Sequence, residues 1–258
     1  MSTRTASESR GSRRPLQSGR SQEDMSLGLL RGFELTSKRR AIRLPLGAQR
    51  LLAFLALHDR PLQRGYVAGT LWMGASEARA QACLRSALWR LRRPAGSLVL
   101  SSGTKLQLSL TIPVDFRQAA QTARRVIGDR GTSKPGDVDE LISAGELLPD
   151  WYDDWVLIER ERMRQLRLHA LEILCRGLTA TGDFGPAVEA GLAAVEAEPL
   201  RESAHRALIE AHLAEGNRSE AIRQYKAFKK RLHIELRLEP SMELRQLVLG
   251  PGNDATSC

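Results

Sequence analysis

The chain of 258 residues contains no long hydrophobic run. Its longest uninterrupted apolar stretch, Leu51–Leu57, is seven residues, whereas a membrane-spanning helix needs roughly 20. The first 20 residues are rich in serine and arginine and lack the apolar core of a signal peptide. We therefore expect no membrane partner and predict a cytoplasmic protein.

Cysteine, aromatic residues and catalytic motifs are also scarce. The three cysteines, Cys83, Cys175 and Cys258, are odd in number and widely spaced, which excludes a disulfide framework or a zinc cluster. The sequence has no glycine-rich phosphate loop, no dinucleotide fingerprint and no histidine pair at metal-binding spacing. We expect neither an enzyme nor a cofactor or metal site.

Positive charge is concentrated near the start of the chain. Residues 1–22 have a net charge of +4, residues 23–112 have +9, and residues 113–258 have −4. Residues 1–22 offer almost nothing to bury, so we predict a disordered basic tail. A basic first half joined to an acidic second half indicates two domains with different partners. Lysine and arginine displace counterions from phosphates, so the basic half favours nucleic acid.

The order of elements in residues 23–112 is typical of a winged helix-turn-helix. Short apolar segments predict two or three strands, and helices follow at about 48–58, 63–72 and 77–93. Residues 98–110 then predict a hairpin that forms the wing. In this motif the last helix enters the major groove of DNA.

The third predicted helix is strongly basic on its outward side. A buried stripe is predicted for Ala80, Leu84, Leu88 and Leu91, at helical spacing. Five arginines and one acid, Glu77, accompany it, whereas a solvated helix normally mixes both signs. We predict base contacts from Arg79, Ser86 and Arg90, and phosphate contacts from Arg85, Arg92, Arg93 and, on the wing, Lys105.

Residues 113–250 are predicted to form an all-α, tetratricopeptide-like domain, with a flexible C-terminus at 251–258. The pattern that begins at Gly182 recurs at Gly216, an offset of 34 residues. This offset is the tetratricopeptide period, and such repeats build surfaces that bind proteins. The predicted fold class is therefore mainly α with small β elements: an N-terminal winged helix-turn-helix followed by an all-α helical domain.

Several segments resemble a known family. The stretch Leu84-Arg85-x-x-Leu88-x-Arg90-Leu91-Arg92-Arg93 resembles the OmpR-like winged helix of the actinobacterial antibiotic regulatory proteins (SARP). The segments 145–149, 154–162, 198–206 and 238–241 resemble their bacterial transcriptional activation domain. The likeness extends from about residue 27 to residue 249.

The resemblance implies a transcriptional activator of biosynthetic genes. Members of the family bind direct repeats in promoter DNA as pairs of protomers and recruit RNA polymerase holoenzyme, so double-stranded DNA, the polymerase and a homodimer on DNA are the expected partners. Such a protein would be associated with the nucleoid. One alternative is a tetratricopeptide scaffold whose basic half binds RNA or an acidic protein.

Overall fold

The computed structural model describes residues 25–92, 98–134 and 136–250. The predicted basic tail, the C-terminus beyond residue 250, and Arg93 lie outside these ranges. Within them the chain is mostly helical with two small sheets, which confirms the predicted fold class.

The first part of the chain combines two three-stranded sheets with three helices. The second sheet joins a short strand at Leu62–Gln63 to the two strands of the predicted hairpin, and the second strand of the hairpin lies in the middle. We had expected Gln63 to begin a helix, but it pairs with Lys105 as part of a strand. The elements are β1 (Met25–Gly28), β2 (Glu34–Ser37), β3 (Arg40–Ala41), α1 (Leu46–Ala56), β4 (Leu62–Gln63), α2 (Arg64–Leu71), α3 (Glu77–Arg92), β5 (Val99–Ser102) and β6 (Lys105–Leu108).

The second part is a succession of helices. Its second helix ends at Ser143, where the chain becomes extended and Leu147 forms a bridge to Leu30. The helices are α4 (Asp115–Gly128), α5 (Asp137–Ser143), α6 (Asp154–Thr181), α7 (Phe184–Ala197), α8 (Glu202–Ala214), α9 (Arg218–Leu236) and α10 (Met242–Leu249).

The predicted 34-residue repeat is present. Gly182 and Gly216 each precede the second helix of a pair, with φ of +80° and +91°, a backbone conformation that glycine adopts without steric cost. The equivalent packing positions are fully buried on both repeats: Ala170 and Ala204, Leu174 and Leu208, Ala187 and Ala221. Small side chains at these positions let the helices pack closely.

The hydrophobic core continues across the predicted domain boundary at residue 112. One cluster of buried side chains extends from Met25 to Met163 and includes Leu27, Val114 and Val156. The Phe54 ring of α1 meets the Trp155 ring of α6 edge to face, with centroids 5.2 Å apart. The boundary at 112 remains a prediction, and the helical half contributes directly to the core beneath the helix-turn-helix.

Partly buried hydrogen bonds join the same two parts. Asp115 lies in the first turn of α4 and accepts from the backbone amides of Leu29 and Leu30, at 2.8 and 3.0 Å. Arg117 donates to the carbonyls of Ala56 and His58, at 2.8 and 3.0 Å. These carbonyls at the end of α1 have no partner within the helix, so Arg117 supplies the missing donors.

The segment 145–149, one of those that carries the family resemblance, forms the rest of this junction. The Arg31 amide donates to the Glu146 carbonyl at 2.7 Å, and the Leu148 amide donates to the Leu29 carbonyl at 2.9 Å. A Cβ at Gly145 would come within 2.2 Å of the Arg31 side chain, so only glycine allows this approach. Among the helices of the ranges given above, none is long and apolar enough to cross a membrane.

Candidate nucleic-acid interface

Helix α3 is held by one buried face. Ala80, Leu84, Ala87 and Leu91 are at most 5% exposed and pack in the same core as α1 and α2. Ala87 takes the place predicted for Leu88, which is only partly buried. The backbone amide of Ala80 donates to the Ser76 carbonyl at 2.8 Å, which starts the helix directly after the turn from α2. The buried face fixes which side chains point outward.

The outward side of α3 carries the predicted contact residues. Arg79, Arg85, Ser86, Arg90 and Arg92 are all exposed. Across the described part of the chain, no carboxylate forms an ion pair with any of these four arginines. Their positive charge is therefore available to a ligand, which is what contacts with a phosphate backbone require. Arg93 cannot be placed, since it lies outside the described ranges.

The wing lies beside α2 and is tied to it. Lys105 is exposed at the start of β6, next to the turn at Gly103. The Arg64 guanidinium donates to Ser101 Oγ, and its backbone amide donates to the Thr104 carbonyl, both at 2.8 Å. Since Arg64 begins α2, these bonds fix the wing tip relative to the helix-turn-helix. The structure thus brings Lys105 and α3 into one small unit.

One outward residue of α3 was missed in the sequence. Trp89 is 57% exposed, and the Arg90 guanidinium carbon lies 5.6 Å from the centroid of its ring. Ala82, Ser86 and Trp89 follow one another at spacings of four and three residues, the spacing of one helix face. The signal was present, because a tryptophan at this spacing falls opposite the buried stripe.

In the described ranges, the histidines and cysteines supply no second site. His205 is 3% exposed and stacks on Phe228 with ring centroids 4.1 Å apart. Burial raises the pKa of the Cys175 thiol to about 12, so this thiol is a packing group. In the ranges that the structure covers, no three His, Cys, Asp or Glu side chains are grouped to hold a metal ion.

The helical half of the chain is similar to a known family of domains. Residues 143–249 match the family described as "Bacterial transcriptional activator domain". The chain is 28% identical over 207 residues to the regulatory protein AfsR of Streptomyces griseus. These two matches agree with the predicted resemblance to the antibiotic regulatory proteins. The matched domain family is named for transcriptional activation, and AfsR is a regulatory protein.

The matches differ in how much of each protein they cover. The alignment with AfsR covers 76% of this chain but only 21% of AfsR. A solved structure titled "Mycobacterium tuberculosis EmbR in complex with low affinity phosphopeptide" has the same fold, with a TM-score of 0.68 and 20% identity. That match covers 87% of this chain and 64% of the EmbR chain. The EmbR likeness supports the fold, with a winged N-terminal part followed by helices.

Proposed function

We propose that this regulator is a sequence-specific DNA-binding activator of a secondary-metabolite biosynthetic gene cluster. It binds direct repeats in promoters as a homodimer and recruits RNA polymerase holoenzyme. Residues 23–112 form the DNA-binding unit in this proposal, and residues 113–250 form the activation unit. The family match of residues 143–249 supports the activator role.

The observation that carries the proposal is the unpaired charge on α3. Arg79, Arg85, Arg90 and Arg92 are exposed on the helix that follows the short turn, and the wing adds Lys105. An α-helix of this kind fits the major groove, where arginine forks onto guanine O6 and N7. We assign base reading to Arg79, Ser86 and Arg90, and phosphate contacts to Arg85, Arg92, Arg93 and Lys105.

The helical half has a different role in this proposal. Its net charge of −4 opposes a phosphate backbone on balance, whereas helical repeats offer surfaces for protein contacts. We therefore assign the contact between protomers to residues 113–250. The polymerase contact is assigned in part to the basic surface beside the winged helix.

The test is selection of bound sequences from random DNA duplexes by the full chain, followed by titration with excess nonspecific competitor. We expect one enriched motif, repeated in the same orientation, and a complex that survives the competitor. A probe with two copies of the motif should bind more tightly per site than a probe with one.

Two results would contradict different parts of the proposal. If every complex disappears with nonspecific DNA, the basic half is a general polyanion surface, as in the scaffold alternative. If the motif is enriched but one-copy and two-copy probes bind equally per site, the claim of DNA recognition is supported, and the claim that two protomers bind as a pair is wrong. Reporter transcription from the selected motif, with and without the protein, tests activation separately.

A further inference from the structure

Trp89 is the large apolar side chain exposed in the middle of the proposed DNA-reading face. It is 57% exposed, while the buried positions on either side of it, Ala87 and Leu91, are 5% and 3% exposed. The rest of the outward face consists of arginines and the small residues Ala78, Ala82 and Ser86. Exposing an indole to water costs free energy, and nothing in the described fold covers it.

The neighbouring arginine restrains the indole. The Arg90 guanidinium carbon lies 5.6 Å from the Trp89 ring centroid, within the range of a cation–π contact. The pair presents an apolar ring next to a guanidinium with free donors. In the major groove, apolar side chains contact the C5-methyl group of thymine, whereas arginine donates to guanine.

We propose that Trp89 is a specificity-determining residue that recognises a thymine by its C5-methyl group, beside the base contacted by Arg90. The inference rests on the proposed DNA-binding function and deepens it. The small side chains of Ala82 and Ser86 let α3 approach the groove, and Trp89, one turn beyond Ser86, then projects beyond them toward the base edges. The pair Trp89-Arg90 would read two adjacent positions of one half-site.

The experiment removes only the methyl group. In the motif selected by the full chain, each thymine is replaced in turn by deoxyuridine, which keeps every hydrogen-bonding group of the base. We expect one replacement in each half-site to weaken the wild-type complex by about fourfold, the effect of losing one buried methyl group. Trp89→Ala should bind the thymine and uracil probes equally.

Two further variants separate the ring from its surroundings. Trp89→Phe keeps an apolar ring but loses the indole N–H, and it should keep most of the thymine preference. Leu110→Ala removes an apolar side chain that is 71% exposed and lies after the wing, and it should leave the preference unchanged. Because Trp89 is outside the core, the melting temperature of each variant should stay close to wild type.

The proposal is wrong if no deoxyuridine replacement weakens wild-type binding. It is also wrong if Trp89→Ala keeps the full methyl preference, or if Trp89→Phe loses it as completely as Trp89→Ala. These outcomes differ from failure of the proposed function, in which selection would yield no motif on which to place the replacements.

Discussion

Arginine is used in opposite ways in the two parts of this molecule. On α3, Arg79, Arg85, Arg90 and Arg92 are exposed and, within the described ranges, have no acidic partner. In the helical half, several arginines are bound to carboxylates: Arg125 to Asp137, Arg164 to Glu161 and Glu198, Arg201 to Glu172, and Arg206 to Glu202. The presence of an acidic partner therefore distinguishes these arginines from those of α3.

One of these pairs also changes the titration of its acid. The Arg164 guanidinium donates to Glu161 at 2.8 Å and lowers the pKa of that carboxyl to about 2. A pair of this kind carries no net charge, so it attracts a phosphate weakly. The comparison predicts that arginine substitutions in the helical half change stability, while those on α3 change DNA binding.

The largest effect is expected on stability, when an arginine is removed from the pair whose acid is most buried. Glu172 is 3% exposed, and its carboxylate accepts from Arg201 Nε at 2.5 Å and from Ser203 Oγ at 2.8 Å. Arg201→Ala would leave a buried carboxylate without its main partner, so the free energy of unfolding should fall by about 3 kcal/mol. Urea denaturation of the full chain measures this loss.

The matched control is an exposed pair on the same helix, α6. Arg162 is 71% exposed and pairs with Glu159, so Arg162→Ala should cost less than about 1 kcal/mol. Equal losses in the two variants would show that burial of the acid does not decide the effect. Neither variant should alter the preferred DNA motif under conditions in which it stays folded.

The second largest effect is expected on DNA affinity. Arg90→Ala should cost about 1–3 kcal/mol of specific binding and relax the preference at one base position, because it removes a forked contact to guanine. Arg93→Ala should instead weaken binding to all sequences and lower the salt slope by about one. Titration of the selected motif and of its single-base variants at several salt concentrations measures both quantities.

A surface cation outside the proposed interface serves as the control. Lys226 is exposed on α9, and Lys226→Ala should leave motif, affinity and salt slope unchanged. If Arg90→Ala and Arg93→Ala give the same specificity profile, the division between base and phosphate contacts is wrong. Unchanged unfolding free energies would confirm that α3 arginines contribute little to the fold.

Much of this arrangement could be predicted because its signals are local. Helical spacing located α3, and the five arginines with one acid in residues 77–93 marked the candidate face. The 34-residue offset between Gly182 and Gly216 located the repeat. In each case residues close in sequence are close in space, so periodicity alone carries the information.

The junction between the two parts could not be predicted in the same way. Arg117 reaches the end of α1, and Asp115 binds the amides of Leu29 and Leu30, across about 60 to 86 residues of sequence. No spacing rule relates such positions. The change in charge near residue 112 was therefore a guide to surface composition but gave no information on the core, which continues across it.

A smaller effect is expected from the buried histidine of the repeat. His205 Nε2 lies 3.0 Å from the Pro199 carbonyl and Nδ1 lies 2.9 Å from Gln224 Nε2, partners that suit a neutral ring which donates from Nε2. Burial lowers the pKa of His205 below its ordinary value of 6.5, and Arg231 adds to this, while Pro199 and Glu202 oppose it. Protonation therefore favours the unfolded chain.

The direction in which stability changes with pH follows from proton uptake by the unfolded chain. Below pH 6.5 the unfolded chain binds a proton at this histidine that the folded chain does not, so stability should fall with acidification down to the folded pKa, by at most about 1.4 kcal/mol per pH unit. His205→Gln should show a shallower dependence between about pH 6.5 and pH 5.5. An unchanged slope in this variant would assign the effect to other groups.

The smallest effect is expected from residues 1–22, which lie outside the described structure. Their net charge of +4 comes from five arginines and one glutamate, and a predicted disordered segment can contact phosphates without reading bases. Deleting them should reduce affinity only a few-fold at about 20 mM salt and hardly at all at about 200 mM salt, because long-range attraction is screened. The selected motif should not change. If the deletion alters the motif, or weakens binding equally at both salt concentrations, the tail makes specific contacts, and sequence reading is then shared between the tail and α3.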